Sequence, residues 1–287
     1  MEAKKELRIY DGATAIITGG ASGIGQAIAE ELAKKGCEVV LADLQFELAE
    51  EIAAEIRAGG GKATAVKLDV TDHPAVEQVV RDIVVRTGRL DYMFNNAGIY
   101  INGDVHLFSI ADWEHIVNVN IRGVIHGVHA AYPVMLMQGF GHIVNTSSIA
   151  GLIPSPGEVS YAMTKHAVVG LSKSLRAQAG MLGIRVSVLC PGIIRTPMAE
   201  NGGKFGKSYV NISPELRSQI LEKVRPMPVD IFAKRVLDAV AKNRAIIIEP
   251  AWWKWLWRIN RLFPEYSITL TQNFFKRALI KLGLWPK

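Results

Sequence analysis

The sequence predicts an α/β fold: one domain on a doubly wound parallel sheet of about seven strands, with an amphipathic helical extension at the C-terminus. Short apolar runs alternate with helical patterns from residue 13 onward, the order of a parallel sheet covered by helices on both faces. The runs are continuously apolar rather than alternating, as strands buried on both faces should be. A glycine-rich turn joins the first run to the first helix.

The predicted strands share a high content of Val, Ile, Leu and Ala, and lie at 13–18, 37–42, 63–68, 90–94, 141–146, 185–190 and 245–248. Helical patterns separate them, at 24–35, 46–58, 74–87, 112–138, 158–182 and 229–242. The alternation is interrupted at 197–228, a segment rich in Gly, Lys, Ser and Pro. Because irregular segments of this length are usually functional, we expect a substrate loop above the sheet.

The composition favours a cytoplasmic protein with a large core, since 49% of its 287 residues are hydrophobic. Cys37 and Cys190 form neither a CxxC pair nor a disulfide framework, which favours reduced thiols. Residues 1–10 are charged and lack an apolar signal segment. No apolar run approaches the roughly 20 residues that a membrane-spanning helix needs.

The net charge of +6 arises entirely at the C-terminal end. Residues 1–250 hold 26 Lys and Arg against 26 Asp and Glu, so no nucleic-acid partner is predicted for the main body. Residues 251–287 hold seven basic residues, one acidic residue and five of the six tryptophans: Trp252, Trp253, Trp255, Trp257 and Trp285.

This tail has the pattern of two amphipathic helices separated by Pro264. The apolar positions of the first are Trp252, Trp255, Leu256, Ile259, Leu262 and Phe263, with Lys254, Arg258 and Arg261 on the opposite face. Those of the second are Phe274, Phe275, Ala278, Leu279 and Leu282, with Lys276, Arg277 and Lys281 as polar partners. Three placements compete: peripheral contact with an anionic membrane surface, packing on the protein over a substrate cleft or at a subunit contact, and, as a distant third, nucleic-acid binding.

The glycine-rich turn predicts a dinucleotide site in a Rossmann-type sheet. Gly19, Ser22, Gly23, Ile24 and Gly25 lie between the first strand and the first helix. Glycines there allow a tight turn and close approach of the backbone to a pyrophosphate, which is held at the helix N-terminus.

Asp43 at the end of the second predicted strand favours NAD over NADP. A carboxylate at this place accepts hydrogen bonds from a ribose diol and repels a 2′-phosphate. The neighbouring Gly20 and Leu44 are uncharged, so neither would favour the phosphate. The alternative interpretation of Asp43 is a turn residue at the strand end.

Tyr161 and Lys165 are the first candidates for chemistry. A spacing of four on a helix puts both side chains on one face, where an ammonium would lower the tyrosine pKa towards the range useful for proton transfer. Ser148 precedes Tyr161 by thirteen residues. It is either a hydrogen-bond donor to the reacting oxygen or a cap of the strand-to-helix turn.

Together these motifs resemble the short-chain dehydrogenase/reductase family, over about residues 10–200. The matched positions are Thr18-x-x-x-x-Gly23-Ile24-Gly25, Asn95-Asn96-Ala97-Gly98, Asn120 in Asn118-Val119-Asn120, Ser148, Tyr161-x-x-x-Lys165 and Pro191-Gly192 with Thr196.

The resemblance implies a role for each matched residue. Tyr161 exchanges the proton with the substrate oxygen, Ser148 hydrogen-bonds that oxygen, and Lys165 lowers the tyrosine pKa and binds the nicotinamide ribose. Asn120 holds a water connected to Lys165. The cofactor-binding residues implied are Gly19, Ser22, Gly23, Ile24, Gly25, Asp43, Asp69, Val70, Asn96, Ala97, Gly98, Tyr161, Lys165, Pro191, Gly192, Ile194 and Thr196.

The C-terminal layout departs from many short members of the family. Val229–Val240 followed by Arg244–Pro250 is similar to the hydroxysteroid- and retinol-type branches and lacks the Thr-Gly pair used in tetramer packing. The resemblance implies a homodimer or homotetramer formed through the helices at 112–138 and 158–182. We divide the chain into a nucleotide-binding domain at 1–250 and the tail at 251–287.

The expected substrate is a bulky lipophilic secondary alcohol or its ketone, such as a steroid, a retinoid or a long-chain carbonyl. The predicted walls are mostly apolar: Leu152, Ile153, Pro154, Ile99, Tyr100, Val159, Met198, Phe205 and Tyr209. Glu158 is interpreted as a solvated carboxylate at the helix start, with a substrate contact as the alternative. One alternative function is an NADP-linked carbonyl or 3-oxoacyl reductase. The other is a non-catalytic dinucleotide-binding or membrane-associated scaffold.

No metal site is predicted. His126 and His129 are three apart on a helix, a spacing compatible with metal binding. No cysteine or carboxylate in the nearby sequence completes a site, so both are interpreted as surface or interface residues.

Overall fold

A computed structural model describes residues 6–210 and 212–281. Seven parallel strands form one sheet in the spatial order β3-β2-β1-β4-β6-β7-β9, and the predicted single-domain Rossmann-type fold is confirmed. The strands of this sheet are β1 (Thr14–Thr18), β2 (Glu38–Asp43), β3 (Lys62–Lys67), β4 (Tyr92–Asn95), β6 (Gly141–Thr146), β7 (Ile184–Pro191) and β9 (Ile246–Glu249). A second parallel pair joins β5 (Ile101–Asn102) to β8 (Lys207–Ser208).

The helices cover both faces of the large sheet and extend beyond its last strand. They are α1 (Gly23–Lys34), α2 (Phe46–Ala58), α3 (His73–Thr87), α4 (Ile110–Val117), α5 (Gly123–Gln138), α6 (Val159–Ala179), α7 (Pro197–Asn201), α8 (Pro214–Lys223), α9 (Val229–Ala241), α10 (Trp253–Leu262) and α11 (Pro264–Lys281).

The core lies in two layers, one on each face of the sheet. Successive residues of a strand point to opposite faces, so Ile17 packs in the layer beneath α1 and α9, whereas Ile16 packs in the layer beneath α3 and α5. Both side chains are buried. The strands therefore lack an alternating pattern.

The helix predicted at 112–138 is interrupted. Asn118–Arg122 forms a π-helical turn between α4 and α5. Such turns are rare and occur frequently at functional sites. This one holds the buried Asn120, whose amide bonds the backbone of Ile99 through both of its polar atoms.

The first tail helix, α10, packs on the body through a face that the sequence did not predict. Trp253 and Trp257 pack against the cluster beneath α6 and β9, and the Asn260 amide donates to the Leu152 carbonyl at 3.0 Å. The predicted apolar face is instead mostly exposed, including Trp255 at 67% and Leu262 at 72%.

The second tail helix, α11, begins at Pro264, where the first helix was predicted to end. Leu282 and Trp285, assigned above to the tail pattern, lie outside the described residues. Among residues 6–210 and 212–281, no helix combines the length and the hydropathy needed to cross a bilayer.

Candidate active site

A crevice of about 780 Å³ lies at the carboxyl ends of the strands. It opens between β1 and β4, which are neighbours in the sheet. After β1 the chain continues towards one edge of the sheet, and after β4 it continues towards the other edge. Open α/β sheets bind ligands at such a position. Of the predicted site residues, only Gly25 and Asn120 do not line it. The lining members are Gly19, Ser22, Gly23, Ile24, Asp43, Asp69, Val70, Asn96, Ala97, Gly98, Ser148, Tyr161, Lys165, Pro191, Gly192, Ile194 and Thr196.

In the glycine turn at the start of α1, the backbone at Gly19 packs closely against the backbone at Gly25. Gly19 has φ +65, which favours glycine, and a Cβ at Gly25 would lie 2.0 Å from the Gly19 carbonyl oxygen. Ser22 is the N-cap of α1, and its side chain makes no capping hydrogen bond. The first N–H groups of α1 are thus left for an anionic ligand, as the dinucleotide motif requires.

Asp43 lies in the crevice as predicted, and its carboxylate is fixed by the backbone. Oδ2 accepts from the Ala21 N–H at 3.0 Å and Oδ1 accepts from the Gln45 N–H at 2.9 Å. Each oxygen keeps a further lone pair for a ribose hydroxyl. The same carboxylate orders the residues that follow β2, as the turn interpretation expected, and the ribose contact stays a prediction.

Asn96 and Thr18 tie the end of β4 to the glycine turn. The Thr18 hydroxyl accepts from the N–H groups of Asn96 and Ala97, at 3.0 and 3.1 Å. The Asn96 amide donates to the carbonyls of Thr18 and Gly19. These bonds fix the turn in place beside the crevice.

Tyr161 is buried at the floor of the crevice beside Ser148. Burial raises the pKa of Tyr161, the Glu158 carboxylate raises it further, and a hydrogen bond with Ser148 lowers it. The Ser148 hydroxyl also accepts from the Ala150 N–H at 3.1 Å, capping the short 3₁₀ turn at Ile149–Gly151. Ser148 therefore caps the turn, as one interpretation expected, while its hydroxyl lies beside Tyr161; its role as donor to the reacting oxygen stays a prediction.

Lys165 is also buried, with Nζ 5.4 Å from the centre of the Tyr161 ring. It donates to the Thr146 carbonyl at 3.0 Å. Burial lowers the pKa of Lys165 to about 8. The expected lowering of the tyrosine pKa by this ammonium is not what the structure gives, because loss of hydration dominates at both groups.

Asn120 joins this group through Gly98. A Cβ at Gly98 would lie 3.2 Å from Asn120 Oδ1 and 3.3 Å from Lys165 Nζ, so a larger residue would crowd both. The Asn120 amide also donates to the Thr164 hydroxyl at 3.1 Å. Ser148, Tyr161, Lys165 and Asn120 are therefore brought together from three separate parts of the chain.

The model of the short chain dehydrogenase family matches residues 13–205. Curated relatives agree. The oxidoreductase UcpA of Salmonella typhimurium is 41% identical over 191 residues, which cover 66% of this chain and 72% of UcpA. This chain belongs to the short-chain dehydrogenase family. The 2,5-dichloro-2,5-cyclohexadiene-1,4-diol dehydrogenase LinX of Sphingobium indicum is 40% identical over 190 residues, covering 66% of this chain and 76% of LinX.

Solved structures of short-chain dehydrogenases share the whole fold. One from Burkholderia phymatum, in complex with NAD, is 29% identical with a TM-score of 0.76 and covers 98% of both chains. Another from Sphingobium yanoikuyae, in complex with NADPH, is 28% identical with a TM-score of 0.72, covering 83% of this chain and 88% of that one. This chain is thus an NAD(P)-dependent dehydrogenase. Of these two structural neighbours, one was solved with NAD and the other with NADPH.

The residues of this dehydrogenase fit a dinucleotide. In the glycine turn the backbone is so close-packed that a Cβ would clash, and the N-terminus of α1 faces the crevice. The Asp43 carboxylate, which the backbone holds in place, also lines the crevice. The residues that would hold the nicotinamide half, Gly192 and Thr196 among them, line the other end.

Glu158 in this dehydrogenase is not the solvated carboxylate that the sequence suggested. It is half-buried and lines the crevice. Oε1 accepts from the Tyr100 hydroxyl at 2.6 Å and Oε2 accepts from the Ser155 hydroxyl at 2.8 Å. Tyr100 in turn packs edge-on against Tyr161, with ring centres 5.2 Å apart. A carboxylate is thereby coupled to the candidate catalytic tyrosine.

The segment 197–228 is tied down over the crevice by Asp112 of α4. Lys207 Nζ and the Tyr209 hydroxyl both donate to this carboxylate, at 2.9 and 2.6 Å. These hydrogen bonds lower the pKa of Asp112 well below its usual range. Together with the β5–β8 pair, they hold the segment against the body of the dehydrogenase.

The predicted apolar walls are correct in part. Ile99, Tyr100, Met198 and Phe205 line the crevice, whereas Leu152, Ile153, Pro154, Val159 and Tyr209 do not. Leu152 is buried in the core beneath, and Val159 is 43% exposed on α6. Helix α8 supplies Ile220, Leu221 and Arg217 instead.

Trp253 is a wall residue that sequence reasoning missed, although its tryptophan-rich tail was singled out. The indole lines the crevice, and a Cβ at Gly192 would lie 2.0 Å from its Nε1. That nitrogen is buried and has no hydrogen-bond partner within the described part of the chain. The interpretation of the tail as a cover of the substrate cleft is thus correct for this one residue.

Proposed function

We propose that this dehydrogenase oxidises a bulky lipophilic secondary alcohol with NAD⁺, reversibly. One observation carries the proposal: the crevice joins a nucleotide end, built on Asp43 and the glycine turn, to an apolar end with Tyr161 and Ser148 between them. The nicotinamide cofactor supplies the hydride chemistry, and the protein supplies position and proton transfer.

Tyr161 is the proposed proton carrier. Its raised pKa keeps the hydroxyl protonated at neutral pH, so the described state can donate a proton to a substrate carbonyl oxygen. For alcohol oxidation this hydroxyl must first release its own proton, and the resulting phenolate then takes the proton from the substrate. Ser148 lies beside it, and its hydroxyl would stabilise the charge that develops on the reacting oxygen.

Lys165 and Asn120 are proposed to support this step. A buried amine whose pKa is about 8 exchanges its proton close to neutral pH, so neutral Lys165 can accept the proton that Tyr161 releases before alcohol oxidation and pass it on to solvent. The Asn120 amide is fixed on three partners and orients this end of the crevice. Retention of the complete set favours an enzyme over a non-catalytic scaffold.

Asp43 supports NAD as the cofactor. Its carboxylate is buried and held by two backbone N–H groups, and a 2′-phosphate placed beside it would be repelled. Among residues 6–210 and 212–281, the Lys and Arg residues that line the crevice are Lys165, in the catalytic group, and Arg217 of α8, while Lys204 lies in an adjoining pocket with Leu44, Gln45, Glu47 and Glu51. An NADP-linked reductase remains the second candidate.

The apolar end supports a lipophilic substrate. Ile99, Met198, Phe205, Ile220 and Trp253 contribute to its walls, a composition typical of sites for apolar ligands. LinX is named for a chlorinated cyclic diol, which is also a lipophilic secondary alcohol. The steroid- or retinoid-type assignment remains a prediction.

The tail is proposed to rest on an anionic membrane surface as a peripheral contact, which would bring the crevice close to a source of lipophilic substrate. The exposed apolar face of α10, with Arg258 and Arg261 beside it, supports this placement. A homodimer or homotetramer through α5 and α6, and the division at residue 250, stay predictions.

A panel of lipophilic secondary alcohols offered with NAD⁺ or NADP⁺ tests the proposed function, with reduced-cofactor absorbance as the readout. We expect turnover of cyclic and long-chain secondary alcohols with NAD⁺, and an Asp43→Ala variant that gains activity with NADP⁺. Preference of the unmodified chain for NADP⁺ would contradict the argument from Asp43. Turnover confined to small polar alcohols would contradict the lipophilic assignment.

A further inference from the structure

We propose that His73, Glu77 and His129 form a zinc-binding site on the surface between α3 and α5, away from the catalytic residues. His73 is the first residue of α3 and Glu77 follows one turn later, while His129 lies on α5. His73 and His129 are 56 residues apart in sequence, so no local spacing reveals the group. The sequence argument against a metal considered only the pair His126 and His129, whereas in this group His129 is joined by two residues of α3.

The three ligand atoms form a nearly equilateral triangle. His73 Nε2 lies 3.1 Å from His129 Nδ1 and 3.4 Å from Glu77 Oε1, and His129 Nδ1 lies 3.5 Å from Glu77 Oε1. Ligands bound to one tetrahedral zinc ion at about 2.0–2.1 Å are separated by about 3.3 Å. The side chains therefore already stand at the separations that a single ion would impose.

Hydrogen bonds alone satisfy this triangle poorly. A proton on His73 Nε2 can be directed at His129 Nδ1 or at Glu77 Oε1, but one N–H cannot serve both well. A cation in the middle accepts one lone pair from each of the three atoms.

Two members of the triangle have close neighbours outside it. The other carboxylate oxygen of Glu77 faces Arg81 at 3.4 Å. His126, one turn before His129, packs against the His73 ring with centres 5.1 Å apart and bonds the Val70 carbonyl through Nδ1 at 2.8 Å.

Two imidazoles and one carboxylate select a first-row divalent ion rather than Mg²⁺ or Ca²⁺, which prefer oxygen ligands. The same set holds zinc in sites with an open fourth position. The side chains of His73 and Glu77 are 35% and 32% exposed and that of His129 is 63% exposed, so an ion can enter and a water can complete the coordination.

The site would act as a clamp between two helices. Asp69 and Val70, which line the nucleotide end of the crevice, immediately precede α3. An ion that joins the first turn of α3 to α5 would stabilise the start of that helix against opening. It takes no part in proton or hydride transfer.

Isothermal titration of the full-length, tag-free chain with ZnCl₂ tests the proposal. We expect one zinc per chain, with affinity lowered at least about tenfold in each of His73→Gln, Glu77→Gln and His129→Gln. His106→Gln is the matched control, since His106 is an exposed histidine beside the single carboxylate of Asp104, and it should bind zinc as the unmodified chain does.

Two further readouts separate ligand loss from misfolding. Zinc should raise the melting temperature of the unmodified chain and of His106→Gln but not of the three ligand variants. Without metal, the melting temperatures of the three ligand variants should match that of the unmodified chain. Co²⁺ should give the visible absorption of a tetrahedral site only where all three ligands are present. The proposal is overturned if the unmodified chain shows no saturable zinc binding, or if the three variants bind as tightly as it does.

Discussion

Tyr161 is the residue on which the proposed chemistry most depends. Replacing it with Phe removes the proton carrier and leaves the ring packing against Tyr100 in place. We expect kcat to fall by roughly a thousandfold, within the range that positioned acid–base groups contribute. NAD binding, measured by fluorescence titration, should change little. Near-normal turnover by the variant would contradict the mechanism.

His142 makes the stability of this protein sensitive to acid. It is fully buried on β6, where Nε2 bonds the Ser187 hydroxyl at 2.8 Å and Nδ1 has no hydrogen-bond partner among the residues that the structure describes. Burial, with Arg185 and Arg176 nearby, lowers its pKa from 6.5 to about 3. The folded state thus resists protonation that the unfolded chain accepts.

The sign of the pH effect follows from that difference. The stability that neutral His142 contributes to the folded state is fully present above pH 6.5. It is lost as the pH falls towards 3, because in that range the unfolded state binds the proton and the folded state does not. Between pH 6.5 and 4 we expect the free energy of unfolding of the unmodified chain to fall by about 3 kcal/mol more than that of His142→Gln. Urea denaturation at several pH values measures this, and parallel losses in the two proteins would contradict it.

Among the elements, the segment 197–228 offers the clearest prediction, since one carboxylate of α4 binds two of its side chains. Lys207→Met with Tyr209→Phe removes both bonds to Asp112 and leaves the capping box of α4, which uses Ser109 and Asp112, in place. We expect KM for the substrate to rise roughly fivefold, as loss of charged hydrogen bonds should cause, with kcat changed less. The control is Lys223→Met, an exposed lysine at the end of α8. Equal KM values in the two variants would contradict a clamping role.

The elements also separate what the sequence predicts from what it does not. Strand and helix positions follow from local hydrophobic pattern, and Tyr161 with Lys165 from spacing on one helix. Glu158 was misread because its partner Tyr100 is 58 residues away. The π-helical turn at Asn118–Arg122 arises from contacts of Asn120 with Ile99 and Thr164. A local sequence pattern does not predict contacts between residues that are so far apart in the chain.

The same limit applies to α10, where periodicity found an amphipathic helix but chose the wrong face. The buried side is set by Trp253 and Trp257, which fit against Gly192 and the cluster beneath α6. Large aromatic residues lie all around this helix, so pattern alone does not select a face. Tertiary packing does, and it leaves the predicted face outward.

At the scale of the whole molecule, charge and exposed apolar surface coincide at one end. The tail holds all of the net positive charge. On α10 and its C-cap, Trp255, Leu262 and Phe263 are each more than 60% exposed, with Arg258 over the Trp255 ring at 5.4 Å. We propose that this surface lies in a membrane interface, where each basic residue would add about 1 kcal/mol on anionic lipid.

Sedimentation with vesicles tests this placement. We expect the intact chain to pellet with phosphatidylserine-containing vesicles, less so at high salt or with neutral lipid, because the attraction is screened. The triple variant Trp255→Ser, Leu262→Ser, Phe263→Ser should stay in the supernatant. The matched control Val85→Ser, Met137→Ser, Met181→Ser removes three apolar side chains that are 83–86% exposed on the body, and it should pellet like the intact chain. If the intact chain stays in solution with anionic vesicles, the exposed face of α10 does not bind membrane.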